Sequence, residues 1–280
     1  MRMVTFVAIG DFGTGTKEQH KVSKALKEIY DQFKFSFVIG LGDNIYPSGC
    51  SDVKDKLFIK LFEDPYSELP DSVRWYMCLG NHDYGYIYYN NSKIEFLDNS
   101  QCQIEYTKHS KKWYMPSRYY SFVKGPIEFF YLDTNLDRMN KDDIEKQLHT
   151  MKNKLDTSKA TWKVVCGHHT WESIAYHGSE ECFIDKFLKR LFKDTKPDYY
   201  MCGHDHCKSI ITKNDITLLI SGNGGEVYNE KTNVNQIKGT LEYFSPSLGF
   251  ALINATNDNF IIDIYGLQGN KIIKEYSFHH

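Results

Sequence analysis

The segment VTFVAIGDFG, residues 4–13, sets a pattern that the rest of the chain repeats. Its first six residues, Val4–Ile9, are mainly β-branched and aromatic, which predicts a short buried β-strand. The run stops at Gly10, and Asp11 follows at once. Because ligands bind beyond the carboxyl ends of strands in open α/β sheets, this position favours a functional role for Asp11.

The same order of strand, glycine and polar residue occurs four more times. The predicted strands and their polar ends are residues 35–41 with Gly42-Asp43, residues 75–79 with Gly80-Asn81, Trp162–Cys166 with Gly167-His168, and Tyr199–Cys202 with Gly203-His204. Polar residues at strand ends converge on one edge while the strands stay buried. We therefore expect all five segments to build one site.

The remaining chain alternates amphipathic stretches with short apolar runs. Residues Lys17–Phe33, 141–155 and 181–192 have the apolar spacing of helices, and residues 128–132 and 217–221 are further predicted strands. The C-terminal residues 243–278 alternate apolar and polar side chains, which predicts a β-meander with turns at Gly266 and Gly269-Asn270. Because the sequence shows no repeat or linker, we expect one α/β domain over residues 1–280.

Composition excludes some partners. The formal net charge of -2 argues against a protein that coats nucleic acid, since such proteins neutralise phosphates with excess basic residues. No stretch approaches the roughly 20 apolar residues of a membrane span, so no membrane partner is expected. The N-terminus lacks a secretory signal, which predicts a cytoplasmic protein if the chain is complete and a secreted or lysosomal one if a leader was removed. The seven cysteines form no CxxC pair and are expected to be mostly free thiols.

The polar residues at the strand ends have the chemistry of metal ligands. They are Asp11, Asp43, Asn81, His168, His204 and His206. Such oxygen and nitrogen donors suit divalent or trivalent first-row metals, and a carboxylate such as that of Asp43 can bridge two ions. In an extended segment His204 and His206 leave the same face. Tyr46, three residues after Asp43, is placed to supply a phenolate for Fe(III), and the glycine before each ligand is expected to let the backbone turn sharply.

These segments resemble the five motifs of the purple acid phosphatases, most of all the small tartrate-resistant type. The matching residues are Gly10-Asp11-Phe12-Gly13, Gly42-Asp43-Asn44-Ile45-Tyr46, Gly80-Asn81-His82-Asp83, Val165-Cys166-Gly167-His168 and Gly203-His204-Asp205-His206. The likeness includes Ser173-Ile174-Ala175-Tyr176-His177-Gly178 and extends over nearly the whole chain. It implies a four-layer α-β-β-α metallophosphoesterase sandwich, with two mixed β-sheets flanked by helices.

The resemblance also implies a ligand set and a reaction. The Fe(III) ligands would be Asp11, Asp43, Tyr46 and His206, and a second, divalent metal (Fe, Zn or Mn) would bind Asp43, Asn81, His168 and His204. His82 and His177 would face the substrate, where they bind phosphate oxygens or protonate the leaving group. The expected reaction is hydrolysis of phosphate monoesters by a metal-bound hydroxide. The expected partners are small phosphorylated substrates and phosphoproteins, and the expected oligomeric state is a monomer.

The sequence departs from that family in two places and leaves some alternatives open. Residues 135–141 are brief where the relatives carry a long lid, and the lost segment includes the cysteine that would pair with Cys182. A phosphodiesterase is an alternative enzyme, and a metal-free scaffold is an alternative of another class. For individual side chains, His169 is expected to be a core or surface residue, with a position just behind the metal ligands as the alternative. The tyrosines at positions 84, 86, 88 and 89 either pack or wall the cleft.

Overall fold

The computed structural model describes residues 3–89, 93–178, 182–228 and 232–280, and strands alternate with helices over most of this length. The strands are β1 (Val4–Ile9), β2 (Phe37–Gly40), β3 (Arg74–Met77), β4 (Tyr86–Tyr89), β5 (Lys93–Phe96), β6 (Trp113–Tyr114), β7 (Tyr120–Lys124), β8 (Ile127–Tyr131), β9 (Trp162–Cys166), β10 (Tyr199–Cys202), β11 (Lys208–Lys213), β12 (Ile216–Ser221), β13 (Thr240–Ser245), β14 (Gly249–Ala255), β15 (Phe260–Gln268) and β16 (Lys271–His279). The helices are α1 (Lys17–Phe33), α2 (Asn81–Tyr84), α3 (Ser100–Tyr106), α4 (Lys141–Thr157) and α5 (Cys182–Leu191).

Two mixed sheets form the centre of the fold. The first has the strand order β16-β15-β14-β1-β2-β3-β6, and the second has the order β13-β11-β12-β10-β9-β8-β7. Strands β1, β2 and β3 are parallel neighbours in the first sheet, as are β8, β9, β10 and β12 in the second. The parallel strands of each sheet therefore end at a common edge, and these edges carry the polar residues predicted above.

Side chains alternate between two cores. In β9, Val164 and Cys166 belong to the core that the two sheets share, while Val165 faces the second core under α4 and α5. In that second core lie Met151 of α4 and Leu188 of α5, both fully buried. Because both faces of the parallel strands are covered, they read as continuous apolar runs rather than as alternating ones.

Helix α1 covers the outer face of the first sheet. Its apolar stripe includes Val22, Leu26 and Ile29, which are buried in the core of that sheet. The helix begins where the Thr16 hydroxyl accepts a hydrogen bond from the backbone N–H of Gln19. With α4 and α5 on the other side, the layers are α-β-β-α, which confirms the predicted sandwich. Among the residues described, no helix combines the length and the apolar character needed to cross a membrane.

Most predicted elements are present, but the C-terminal region differs in two ways. Gly266 is not a turn but lies inside β15, where a Cβ would meet the Glu275 carboxylate at 2.0 Å. The turn at Gly269 is confirmed. The predicted meander comprises β14, β15 and β16 of the first sheet, whereas β13 crosses to the edge of the second sheet.

The cysteines are described at six of seven positions. Cys78, Cys166 and Cys202 are buried free thiols, as expected, and Cys207 is buried as well. Cys50 and Cys102 form a disulfide, a pairing that the sequence analysis did not predict. The side chain of Cys182 lies outside the described residues, so its predicted free state stays a prediction.

Candidate metal centre

The strand ends turn sharply at the candidate ligands themselves. Asp11, Asp43 and His204 have φ angles of 56°, 52° and 70°, in the left-handed region that non-glycine residues seldom adopt. The expectation that the preceding glycines make these turns holds for Gly42, whose φ is 88°. At the motifs of Asp11 and His204 the positive φ falls one residue later, on the ligand itself, whereas Asn81 and His168 have no positive φ. This strained backbone is typical of functional sites.

Two of the preceding glycines serve close approach instead. A Cβ on Gly80 would lie 2.1 Å from Oδ1 of Asp43, and one on Gly203 would lie 2.3 Å from Oδ2 of Asp11. These carboxylates pack against neighbouring strand ends with no room for a side chain. Gly80 and Gly203 therefore each make space for the ligand of another motif.

One group of donors surrounds the hydroxyl of Tyr46. This oxygen lies 3.1 Å from Oδ1 of Asp11, 2.8 Å from Oδ2 of Asp43 and 3.3 Å from Nε2 of His206. Nε2 of His206 is also 3.4 Å from Oδ1 of Asp11. All four predicted Fe(III) ligands thus converge on a single point.

A second group surrounds Nε2 of His168. This nitrogen lies 3.0 Å from Oδ1 of Asn81, 3.2 Å from Nδ1 of His204 and 3.4 Å from Oδ2 of Asp43. Nδ1 of His204 is in turn 3.1 Å from the Asn81 oxygen. These are the four residues predicted for the divalent metal. The two groups share Oδ2 of Asp43, as the predicted bridging role of that carboxylate requires.

The donors need a positive charge among them. The Nδ1 atom of His168 contacts the Leu41 carbonyl at 2.9 Å and must donate to it, which directs Nε2 towards the other donors. Burial disfavours a charged His168, but Asp43 and Asp11 outweigh it and raise the pKa of His168 to about 10. His168 in turn holds the pKa of the buried Asp43 below its usual range. A proton therefore occupies the place that suits a metal ion, and ligand atoms of Asp11, Asp43 and His168 fall within 4.8 Å of one another.

Tyr46 shows the same need for a cation. Burial, followed by the charges of Asp43 and Asp11, raises the pKa of its hydroxyl well above the usual value. Tyr46 therefore keeps its proton next to two carboxylates and becomes a phenolate only when a cation offsets their charge. The residues present thus fit a pair of metal ions.

The two predicted substrate-facing histidines flank the donors. Nδ1 of His82 contacts the Pro47 carbonyl at 2.6 Å, so that Nε2 faces Asp43, whose Oδ2 lies 4.0 Å away. The ring of His177 stacks on that of His204 at 3.8 Å, and its backbone N–H donates to Asp205. His82 therefore borders the first donor group and His177 borders the second.

Asp83 organises the centre from behind, a role that the sequence analysis did not assign although it quoted the residue. Its buried carboxylate accepts the backbone N–H groups of Gly80, Asn44 and Ile45 at 2.7 to 3.0 Å. It also accepts a hydrogen bond from the Gln103 side chain at 2.8 Å. Burial and the nearby Asp43 raise the pKa of Asp83 to about 6. Asp83 thus ties the loops that carry Asp43 and Asn81 to each other.

Two further side chains border the donors. His169 is buried, and its ring lies 4.6 Å from that of His204 while its Nδ1 contacts the Thr134 hydroxyl at 2.8 Å. It is therefore next to the donor groups rather than in a remote core or on the surface. The Tyr228 ring stacks on that of His206 at 4.3 Å and walls the opposite side. Nothing in the sequence near Tyr228 signals this contact.

The tyrosines after Asp83 divide between the two alternatives. Tyr84 is 1% exposed and donates to buried Asp133, so it packs. The Tyr86 hydroxyl lies 3.2 Å from Nδ1 of His82, so it walls the cleft. The side chains of Tyr88 and Tyr89 lie outside the described residues.

The segment after β8 is as short as expected. It holds only a 3₁₀ turn, Leu136–Arg138, before α4 begins at Lys141. A cavity of about 350 Å³ opens beside it, lined by Asn81, Asp137, His169, His177, Phe183 and His204. The donor groups are therefore accessible from this side.

Comparisons with known proteins agree with this geometry. Residues 4–208 match the calcineurin-like phosphoesterase family. The chain is 30% identical to tartrate-resistant acid phosphatase type 5 of Sus scrofa, over 97% of this chain and 86% of that protein.

Among solved structures, GAP50, described as the anchor in the inner membrane complex of Plasmodium, superposes with a TM-score of 0.83 at 22% identity, over 99% of this chain and 88% of its own. The purple acid phosphatase PPD1 of Lupinus luteus gives a TM-score of 0.74 at 16% identity, over 99% of this chain and 53% of its own. These two likenesses show the fold. Family match, identity and fold together show that the chain belongs to the purple acid phosphatases of the calcineurin-like phosphoesterase family and is an acid phosphatase of that dinuclear-metal type.

Proposed function

We propose that this chain hydrolyses phosphate monoesters at a centre of Fe(III) and a divalent ion, with Tyr46 as the Fe(III) phenolate. The observation that carries the proposal is the pair of donor groups sharing Oδ2 of Asp43. When bound, the two ions would clamp the phosphoryl oxygens and activate a water molecule for in-line attack.

Charge assigns the ions to the two groups. The first group supplies the carboxylates of Asp11 and Asp43 and, once ionised, the Tyr46 phenolate, with His206 as its neutral member. The second group supplies only Asp43 as an anion. Hard anionic oxygens favour a trivalent ion, whereas an amide and two imidazoles suit Fe, Zn or Mn in the divalent state. We therefore assign Fe(III) to Asp11, Asp43, Tyr46 and His206, and the divalent ion to the group of Asp43, Asn81, His168 and His204.

The flanking histidines are assigned from their positions. His177 lines the open cavity, where a departing oxygen has room, so it protonates the leaving group. His82 lies on the other side, 4.3 Å ring to ring from Tyr46, and binds a phosphate oxygen. The substrates are small phosphorylated compounds and phosphoproteins. The single domain over residues 1–280 and the monomeric state stay predictions from the sequence, as does the location, which is cytoplasmic if the chain is complete and secreted or lysosomal if a leader was removed.

The test of the metal centre is colour. The iron-loaded protein is expected to show a visible charge-transfer band that is lost in Tyr46→Phe. Tyr86→Phe is the matched control, because Tyr86 borders His82 without belonging to either donor group. A colourless protein with bound iron, or a band that survives in Tyr46→Phe, would contradict the phenolate assignment.

The test of the reaction uses leaving groups of different quality. His177→Asn should lower kcat for an alkyl monoester by about 10²-fold, but should affect p-nitrophenyl phosphate little, since nitrophenolate departs without a proton. Exposed His20→Asn is the control. Equal losses on both esters would remove the proton-donor role. A diester hydrolysed faster than its monoester would favour the phosphodiesterase alternative.

A further inference from the structure

A groove leads from the metal centre between the 3₁₀ turn Leu136–Arg138 and helix α5. The cavity of about 350 Å³ beside His177 is followed by a second of about 260 Å³. Asp137 and Phe183 line both, so the two are continuous. When a phosphoryl group lies at the metal centre, the alcohol part of the ester would thus have continuous space along the groove.

The far part of this groove has an apolar floor, and Lys186 and Arg190 also line it, Arg190 being paired with Glu145 at 2.7 Å. Its floor is formed by Leu136 and Phe187, which are 6% and 3% exposed, with Ile144 of α4 beside them. The ring of Phe183 stands between the two cavities and is 39% exposed. An exposed aromatic ring next to buried apolar side chains is typical of a ligand-binding surface.

The charges near the metal centre restrict what enters. The Asp137 carboxylate lies at the junction of the two cavities, where its side chain is 50% exposed and contacts Arg138 at 3.0 Å. A second anionic group of the substrate, close to the phosphate, would be repelled by this carboxylate. A neutral, apolar body meets no such opposition and covers the Phe183 ring.

The position of His177 determines which part of the substrate lies here. A proton donor to the leaving oxygen must lie within hydrogen-bond reach of it, and His177 lines the near cavity. The group attached to that oxygen then extends into the space beyond. We propose that this groove is the leaving-group subsite and that it selects monoesters of alcohols with an aromatic or bulky apolar body. This inference rests on the proposed phosphomonoesterase function.

The experiment compares ethyl phosphate with benzyl phosphate, because their alcohols have nearly equal acidity and so make equal demands on bond cleavage. The metal-loaded protein is expected to show a kcat/KM about tenfold higher for benzyl phosphate, the discrimination of a half-buried apolar contact. Phe183→Ala should abolish this preference, because it lowers kcat/KM for benzyl phosphate about tenfold more than kcat/KM for ethyl phosphate. Phe183→Leu should keep part of it.

The control is Phe33→Ala, since Phe33 is also the exposed aromatic residue of a helix, at 41%, but lies on α1. It should keep the full preference. Equal kcat/KM for the two esters in the unaltered protein, or a preference that survives in Phe183→Ala, would overturn the inference alone. If the metal-loaded protein hydrolyses neither ester, the proposed function fails and the inference falls with it.

Discussion

Two buried clusters of charge in this molecule solve the same problem in opposite ways. In the first, which we call the anchor pair, Nζ of Lys213 lies 2.5 Å from Oε1 of Glu172. The second oxygen of Glu172 accepts the backbone N–H groups of Lys238 and Gly239 at 2.9 and 2.7 Å. Each charge of the anchor pair therefore has its partner within the chain.

The metal centre is the second cluster, and its charges are not matched in this way. The ion-pair contacts of Asp11 and Asp43 are to His206, His168 and His82, which carry a charge only when protonated. A cluster that holds itself together by a proton on a ligand atom can exchange that proton for a metal ion. The anchor pair therefore serves the stability of the fold and the metal centre serves metal binding. Substitutions in the anchor pair should change the free energy of unfolding, and substitutions in the metal centre should change metal content and activity.

The largest expected effect is that of Asp43→Asn. This substitution removes the oxygen that the two donor groups share and should lower kcat/KM for a phosphate monoester by about 10³-fold or more, or about 4 kcal/mol in the transition state. Phosphatase kinetics and metal analysis measure it. The unfolding midpoint of the metal-free protein should change far less than activity does.

The opposite pattern would break the comparison. If metal-free Asp43→Asn lost several kcal/mol of stability while still binding two metal ions, the centre would be an element of the fold like the anchor pair. Asp52→Asn, on an exposed loop, is the control for the loss of one carboxylate.

The next largest effect is on the anchor pair. Lys213→Met leaves the carboxylate of Glu172 buried without its cation and should lower the free energy of unfolding by about 3 kcal/mol. Adding Glu172→Gln, which keeps an oxygen for the two backbone N–H groups, should recover much of that loss. Urea unfolding measures both. The metal content per folded molecule of Lys213→Met should equal that of the unaltered protein. A loss of metal in this variant would mean that the anchor pair and the metal centre are coupled.

The difference between the clusters also explains what the sequence predicts well. Every residue proposed as a ligand follows the end of a strand by two to six residues, so local signals of strand and glycine place it. Asp11 and Asp43 are far apart along the chain, yet the parallel strands β1 and β2 bring their ends to one edge, as β9 and β10 do for His168 and His204 in the second sheet. The donor set was therefore readable one motif at a time.

The remaining contacts depend on pairings without a local signal. Glu172 and Lys213 carry no local sign of their pairing in the sequence, and neither do Asp83 and the amide of Gln103 that donates to it. The disulfide between Cys50 and Cys102 spans 52 residues, and seven cysteines allow many pairings. The meander predicted for residues 243–278 is wrong at β13, which pairs with β11 of the second sheet, because alternation predicts a strand but not its neighbours.

Asp83→Asn tests a carboxylate whose hydrogen bonds are all met within the chain but which nevertheless supports the metal centre. The amide has one accepting oxygen in place of two, so the loops of Asp43 and Asn81 lose part of their common support. We expect a fall of about 10- to 100-fold in metal affinity or activity, the usual effect of losing such a partner. Asp133→Asn is the control, because Asp133 is equally buried and bonds to Tyr84 and Asn135 instead. Equal losses of metal in both variants would assign the effect to general destabilisation.

The smallest expected effect concerns Asp185, which is linked to Lys213 of the anchor pair through Trp171. Its carboxylate accepts a hydrogen bond from the Trp171 indole at 3.0 Å and pairs with Lys189 at 2.6 Å. Nζ of Lys213 lies over the Trp171 ring, 4.4 Å from its centroid. Burial pushes the other way, but the bonds from Lys189 and Trp171 hold the pKa of Asp185 below its usual value.

A lowered carboxyl pKa adds stability above the unfolded value, and this contribution disappears as the pH falls through the folded value. Asp185→Asn keeps the acceptor for Trp171 and removes only the charge. Because solvent screens this site, we expect a loss of about 0.5 kcal/mol near pH 6 that decreases steadily as the pH is lowered below about 4, measured by urea unfolding across this range. The metal centre should behave differently, since acid restores the proton on His168 and so competes with metal. Metal affinity should therefore fall with decreasing pH in Asp185→Asn as it does in the unaltered protein. A different dependence of metal affinity on pH would show that Asp185 and the anchor pair are coupled to the metal centre.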